Sequence, residues 1–398
     1  VAMGGAVVAA EPGLGAAFHN PASAAFSQQQ IGVGFSTFSP QLFIQRGLPY
    51  CGAGSELCSS LYGSSYSEVG AVLPTDAMGV NLGWVKPLGG ILKNRVALSV
   101  AIHLPTREII RAEGKDSSIP HFLLYQDLSS KTLVAASTAV RPVDWLSLGM
   151  GLQALSNVGA DMTLHMDLAN NSFTQNDIDL ELEPKFGVLA GVMARPSEGF
   201  TLGIAYREEL PLNFRMPADL RGGELLHFDL YVDGAVLFSP HQFDFGAGYR
   251  SDALGLEVVF QANYALWSKM RDPTPRFDLN VGGGVVNEIG LGEVFDLEEG
   301  PRPLIGLEDI WTFHAGLDWA ILSALKLRGG FQYRPSPVPR QEGSTNHLDN
   351  EVYGSGFGVA WLIGAQDKDG GGYVEVELGG LYMWLPRRTV TKSSTDSV

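Results

Sequence analysis

The chain reads as an all-β protein, a transmembrane antiparallel β-barrel of about fourteen strands with a plug in its lumen. Three observations predict this. Segments of about ten residues alternate apolar and polar side chains with period two, the connections between them alternate short and long, and no stretch reaches the eighteen or so apolar residues of a spanning helix. In the clearest segment Leu146, Leu148, Met150, Leu152 and Ala154 alternate with Ser147, Gly149, Gly151 and Gln153. One face suits lipid and the other water. Phe243, Phe245, Ala247 and Tyr249 against Asp244, Gly246, Gly248 and Arg250 repeat the pattern, as do Trp311, Phe313, Ala315, Leu317 and Trp319 against Thr312, His314, Gly316 and Asp318.

A soluble sandwich alternates too, so composition has to arbitrate. Over 398 residues the chain carries 49 glycines, 10% aromatics and no Pro/Ser-rich linker dividing it into domains. One closed barrel with aromatic girdles accounts for that continuity. The net charge of −16 and pI near 4.9 exclude nucleic acid as a partner, because phosphate backbones need basic patches. The acidic stretch 293–299 reads as a solvated loop and Asp367-Lys-Asp-Gly370 as a turn, since neither spaces its oxygens as a calcium loop does.

Taken in order, residues 1–30 do not alternate, and they run from the small-residue stretch Met3-Gly-Gly-Ala-Val-Val-Ala-Ala10 to Asn20-Pro21-Ala22. Strand signals follow over 31–38, 69–86, 95–104, 131–141, 146–156, 181–195, 200–215 and 226–250, then 255–267, 308–319, 323–334, 351–363 and 373–385. The 226–250 stretch contains Pro240, which cannot donate to a ladder, so it is either a kinked strand that opens the wall sideways or two strands. Short connections at 141–144, 195–199, 251–254, 320–322 and 365–372 are rich in turn residues, whereas 39–68, 105–130, 157–180, 268–307 and 335–350 are long. Tight periplasmic turns and extended outer loops give that alternation.

The count is about thirteen, whereas single-chain barrels are normally even, so a last strand is expected beyond Val398, after the polar tail 391–398. With no start Met and no secretory signal, the chain reads as a processed or partial product. A barrel of this size encloses more space than its own side chains fill, which makes residues 1–30 a partial amino-terminal hatch and 31–390 the barrel. Cys51 and Cys58, alone in a Gly/Ser-rich loop, suggest a disulfide and an oxidising compartment; no nearby His completes a metal site.

Met3-Gly-Gly-Ala6 with Asn20-Pro21-Ala22, the tract from Arg250 to Asn263-Tyr264-Ala-Leu-Trp267-Ser268-Lys-Met270, the pair 311–333 followed by Ser336-Pro-Val-Pro339, and Leu348-Asp-Asn350 occur in that order. In these four motifs the chain resembles the outer-membrane long-chain fatty-acid transporter family, the FadL-like proteins that include aromatic-hydrocarbon uptake porins. The resemblance implies a fourteen-stranded barrel with an amino-terminal hatch. Ligand would enter from the outer loops, sit in the lumen and leave through the hatch or sideways through the wall. The Cys51/Cys58 loop is not among the family's marks.

Candidate site residues follow. Asn20-Pro21-Ala22 makes a rigid bend, since proline forces its predecessor extended and Asn bonds its own backbone; the resemblance makes this bend the hatch. Lumen-facing Arg207, Lys326, Arg328 and Arg334 suit a carboxylate head group, unless Glu257, Asp244, Asp318, Glu375 and Glu377 neutralise them. Trp267 fits an interface belt better than a ligand contact. The loops at 42–44, 122–124 and 210–216 form either a hydrophobic docking groove or a packed cluster. No nucleophile elbow, zinc-protease helix or phosphate loop occurs.

The expected function is outer-membrane passage of a fatty acid, alkane or aromatic by passive diffusion, without cofactor or metal, among membrane lipid and lipopolysaccharide. A docking subunit in a surface or secretion assembly, with a protein partner, is the alternative. An outer-membrane lipid hydrolase is a third reading.

Overall fold

The computed structural model describes residues 2–10, 13–45, 69–72, 76–106, 120–125, 132–167, 172–222, 226–274, 276–282, 304–341, 345–364 and 372–390. The cysteine pair Cys51/Cys58, the acidic stretch 293–299, the Asp367 turn and the tail lie outside the described residues.

Among the described residues twenty strands follow one another: β1 Gln30–Phe38, β2 Leu42–Gln45, β3 Val69–Val72, β4 Ala77–Pro87, β5 Val96–Pro105, β6 His121–Phe122, β7 Leu133–Val143, β8 Leu146–Asp167, β9 Ser172–Ala194 and β10 Phe200–Arg207. The series continues with β11 Leu210–Gly222, β12 Leu226–Ser239, β13 Gln242–Ser251, β14 Leu256–Ala265, β15 Arg276–Gly282, β16 Ile310–Leu322, β17 Leu325–Arg334, β18 His347–Leu348, β19 Val352–Ile363 and β20 Val374–Trp384. Thirteen of them form one antiparallel wall in the order β1-β4-β5-β7-β8-β9-β10-β13-β14-β16-β17-β19-β20. Each wall strand pairs with the next wall strand along the chain, with β2–β3, β6, β11–β12, β15 and β18 lying in the excursions between them.

The wall is inside out relative to a soluble sheet. Met150 is 68% exposed and Phe260 61%, while Ser147 is fully buried and Gln153 and Gln261 are 1% and 8% exposed. The alternation read from the sequence therefore turns its apolar set outward. At the outer strand ends, rings pair across Tyr206↔Phe243, Phe243↔Tyr264, Tyr264↔Trp311, Tyr333↔Tyr353 and Tyr353↔Trp384. Ring centroids lie 4.8 Å apart for Tyr264 and Trp311 and 5.1 Å for Tyr333 and Tyr353. Phe200, Tyr249, Trp319 and Trp361 mark the short-turn end. From Trp311 to Trp319 the rise is ~27 Å along the strand, or about 20 Å across the bilayer at the usual tilt. Two aromatic rows at that separation bound a lipid-facing band.

One open alternative is decided and three sequence expectations change. The 226–250 stretch is two strands, β12 and β13, with buried Pro240 at the join; the missing donor ends a strand and does not open the wall. The 200–215 stretch likewise divides at Glu208, whose carboxylate accepts the Val188 N–H at 2.7 Å where a ladder bond would otherwise come from a neighbouring strand. The 69–86 stretch separates into β3, which pairs with β2, and β4 in the wall. Finally β8 and β9 run far beyond 146–156 and 181–195 into the expected loop 157–180. That extension still alternates in sequence, Val158, Ala160, Met162 and Leu164 against Gly159, Asp161, Thr163 and His165, so the period does not stop where the expected loop begins. The extension continues outward with β11, β12 and β15 as a sheet off the wall path.

Candidate functional site

The amino-terminal segment folds from small residues. Gly4 and Gly5 take φ of 60° and 89°, a left-handed pair that L side chains rarely adopt, and reverse the chain so that the Ala6 N–H donates to the Met3 carbonyl at 3.1 Å. Farther on, Asn20 is extended at φ −151° and ψ 99°, as the following proline requires, and Pro21 opens a 3-10 helix, Pro21–Phe26. The Asn20 side chain accepts from the Ala22 N–H at 3.1 Å and donates to the Val8 carbonyl at 2.8 Å. One buried amide thus caps the bend and ties the two limbs of the segment together. The bend expected from Asn20-Pro21-Ala22 is present, and all three residues are buried.

Residues 2–26 touch every wall strand. Leu14 meets β1 and β4 at Gly32 and Gly83, while Ala16, Ala24 and Ala25 cluster with Ala97 of β5 and Ala139 of β7. Ser147 of β8 donates to the Ala22 carbonyl, and Asn20 reaches Val192 of β9. Val8 abuts β10 and β13 at Gly203 and Gly246, the Val7 and Val8 amides bond β14, and Gly4 bonds β16. Met3 meets β17 at Gly330, and Ala2 approaches both β19 and β20. A short segment can contact the first and last strands only if the sheet curls around it. It occupies the lumen.

The seat is cut from glycine. A Cβ at Gly149 would collide with the Ala22 nitrogen, one at Gly203 with the Val8 carbonyl, and one at Gly330 with the Met3–Gly4 peptide. Backbone therefore meets backbone around much of the circumference. Side chains fasten the segment where the wall does carry them. The Gln261 carbonyl oxygen accepts from both Val7 and Val8 amides at 2.9 and 3.0 Å, and His314 bonds the Gly4 carbonyl at 2.8 Å. In the sequence His314 and Gln261 are polar positions on alternating strands like many others. The available signal was glycine recurring at matching heights on the non-lipid face of successive strands.

Toward the outer loops the lumen is two-sided. Leu133, Leu155, Leu189 and Leu210 cluster with Phe18, Ala17 and Ala135 of the plug and wall into apolar patches beside β7, β8 and β9. Next to them along the wall stand Gln242, Asp244 and Asn263, and Arg207 is the boundary, in register with Leu189 on one side and Gln242 on the other. Its guanidinium carbon lies 4.0 Å from the Phe18 ring centroid, its Nη1 donates to Gln242 at 3.1 Å, and its buried Nε has no hydrogen-bond partner.

The other cations are engaged. Arg328 donates to Asp318 and Glu375, each at 2.7 Å, and also pairs with Glu377, while Lys326 lies 3.9 Å from Glu375. Neutralisation is the reading that fits both, and they stand at the short-turn end, beyond the plug from the outer loops. Arg334 forms a two-pronged pair with Asp349 at 3.0 Å. Trp267 is half-buried in an outer-loop cluster with Leu123, Met270, Leu307, Val338 and Phe238, and does not face the lipid girdle. Leu42, Ile44, Phe122 and Leu124 pack together around Tyr125, which is the packed-cluster alternative for those loops.

The profile of the family described as outer membrane protein transport protein (OMPP1/FadL/TodX) matches residues 1–367. A solved Pseudomonas aeruginosa FadL homologue is similar in structure at 14% identity, with a TM-score of 0.53 over 96% of this chain and 88% of that one. The P. putida toluene transporter TodX gives 12% identity and 0.53 over 95% and 90%. A deletion mutant of the TodX monoaromatic hydrocarbon channel gives 14% and 0.55 over 95% and 90%. At these identities the structures speak for the fold alone. No curated protein sequence matches the chain.

Proposed function

Because the chain belongs to the outer membrane protein transport protein family (OMPP1/FadL/TodX), and is thus an integral outer-membrane transport protein and not an enzyme, we propose that it admits hydrophobic small molecules through its lumen by passive diffusion, with residues 2–26 as the gate. The observation that carries this reading is the two-sided lumen on the outer side of the plug. An apolar solute leaves water for the Leu133, Leu155, Leu189 and Leu210 side, where burial is worth about 25 cal/mol per Å². No energy source is needed for that step.

The same geometry favours an amphiphile with a carboxylate, such as a long-chain fatty acid, over a neutral hydrocarbon. Arg207 is the lumen cation on the outer side with a buried N–H lacking a partner, and it stands beside the apolar side. A hydrogen bond from a charged group contributes about 1.5–3 kcal/mol, which is roughly ten- to a hundredfold in affinity. Docking-subunit behaviour would call for a permanently packed bore. Here the obstruction consists of alanine, glycine and valine main chain resting on glycine, an arrangement that separates with little side-chain repacking.

Uptake by cells lacking other fatty-acid porins tests the proposal. Arg207→Met is expected to lower oleate uptake at least tenfold and to leave toluene uptake near wild type. No uptake of either solute by the wild-type protein removes the transport reading; equal uptake of oleate by both forms removes the head-group assignment.

A further inference from the structure

Resting on the reading of residues 2–26 as the gate, we propose that Gln261, oriented by Asp244, is the latch that holds it shut. Gln261 lies at mid-wall on β14, 8% exposed, and every polar atom of its amide is aimed. The oxygen receives two consecutive plug N–H groups, Val7 at 2.9 Å and Val8 at 3.0 Å, while Nε2 donates to Asp244 Oδ1 at 2.8 Å. An amide free to flip would present either end to the plug. The Asp244 carboxylate accepts only, so it fixes the nitrogen toward itself and the oxygen toward the plug. Asn263 adds a second donor to the same carboxylate oxygen at 2.9 Å, and Asp244 is buried.

The latch closes on a stretch of plug whose main chain is engaged from both sides. The Val8 carbonyl is taken by Asn20 and the Val7 and Val8 amides by Gln261, so these peptides cannot leave the wall until the glutamine lets go. His314, directly opposite Gln261 in register, holds Gly4 from the next strand, and Arg207 joins the same network through Gln242, which also accepts from Asn263. Those are the charged or titratable groups facing the latch from the neighbouring strands, together with Asp244 itself.

Exchanging acid and amide tests the assignment without changing the net charge. Gln261→Met removes the acceptor, and Gln261→Glu sets two carboxylates at hydrogen-bond distance; each is expected to speed hydrogen exchange of the Val7 and Val8 amides at least tenfold and to give measurable ion conductance in planar bilayers. Asp244→Asn replaces the accept-only carboxylate with an amide that can turn either end to Gln261, so exchange and conductance are expected to rise part of the way toward those of Gln261→Met. The double variant Gln261→Glu/Asp244→Asn restores a donor at 244 and an acceptor at 261, so exchange and conductance return toward wild type. Heat-modifiable migration shows that each variant has assembled, and if Gln261→Met does not assemble, the comparison of Gln261→Glu with the double variant decides. Wild-type exchange in Gln261→Met, or a double variant as open as Gln261→Glu, overturns the latch. No solute is present in these measurements, so failed uptake would sink the transport reading and leave the latch standing.

Discussion

At the scale of single residues, Asn20 does the work of three partners: it caps Pro21–Phe26, holds Val8 and reaches Val192. Losing the cap costs about 1 kcal/mol, and leaving the Val8 carbonyl without a donor costs about 1–3 kcal/mol more. Asn20→Ala should therefore raise the population of displaced plug by at least about thirtyfold. Altered hydrophobic-solute uptake with intact heat-modifiable assembly would show it; unchanged uptake in both Asn20→Ala and Pro21→Ala would remove the hatch assignment. The bend was legible because proline constrains its predecessor and asparagine bonds locally, both of which are properties of adjacent residues. Gln261 was not legible, since nothing near it in the chain distinguishes it from any other polar residue on an alternating strand. Its partners Val7 and Val8 are separated from it by most of the sequence.

At the scale of elements, the wall strands were legible, as were β12 and the start of β11, whereas the outer parts of β8 and β9 and all of β15 fall in stretches that read as loops. Lipid demands strict alternation over the membrane span, so β7, β13, β14, β16 and β17 announce themselves, whereas the outer parts of β8 and β9 sit beyond that demand. Outer loops also meet in ways no local pattern records. The two-residue strands β6 and β18 pair in parallel, and between them His347 Nδ1 lies 3.3 Å from His121 Nε2, both rings buried. Burial, with the neighbouring His121, pulls the His347 ring down to about 4 despite the opposing pull of Asp272. A histidine whose folded value is depressed below about 6.5 stabilises this contact above that pH and loses it as pH falls toward 4. Protection of the His121–Phe122 and His347–Leu348 amides, taken against the unfolded-chain exchange rate at each pH, should fall between pH 6.5 and 4, and His347→Gln should flatten that dependence. Protection independent of pH in the wild type would remove histidine from the clasp.

At the scale of the whole molecule, periodicity alone could not separate a barrel from a sandwich; what does so is that the apolar face is outside. Replacing Phe260 by Arg on that face is expected to cost about 2–4 kcal/mol, as charges at mid-membrane do in barrels. Thr312→Ser on the lumen face of the next wall strand, in register with Asn263, should cost under about 1 kcal/mol. Unfolding midpoints in detergent or lipid compare the two, and equal losses would contradict the assignment of faces. The curl of the sheet was legible only through strand number and the need to fill the bore, whereas the plug's reach to β1 and β20 had no sequence signature beyond its small residues.

The bareness of the wall beside Gly149, Gly203 and Gly330 has one more implication. Once the segment withdraws, a traveller at that depth meets mostly peptide groups, which are much alike for any sequence and indifferent to a solute's shape. The narrowest passage is then poor at choosing, and discrimination among molecules has to be completed above it, before the aperture clears.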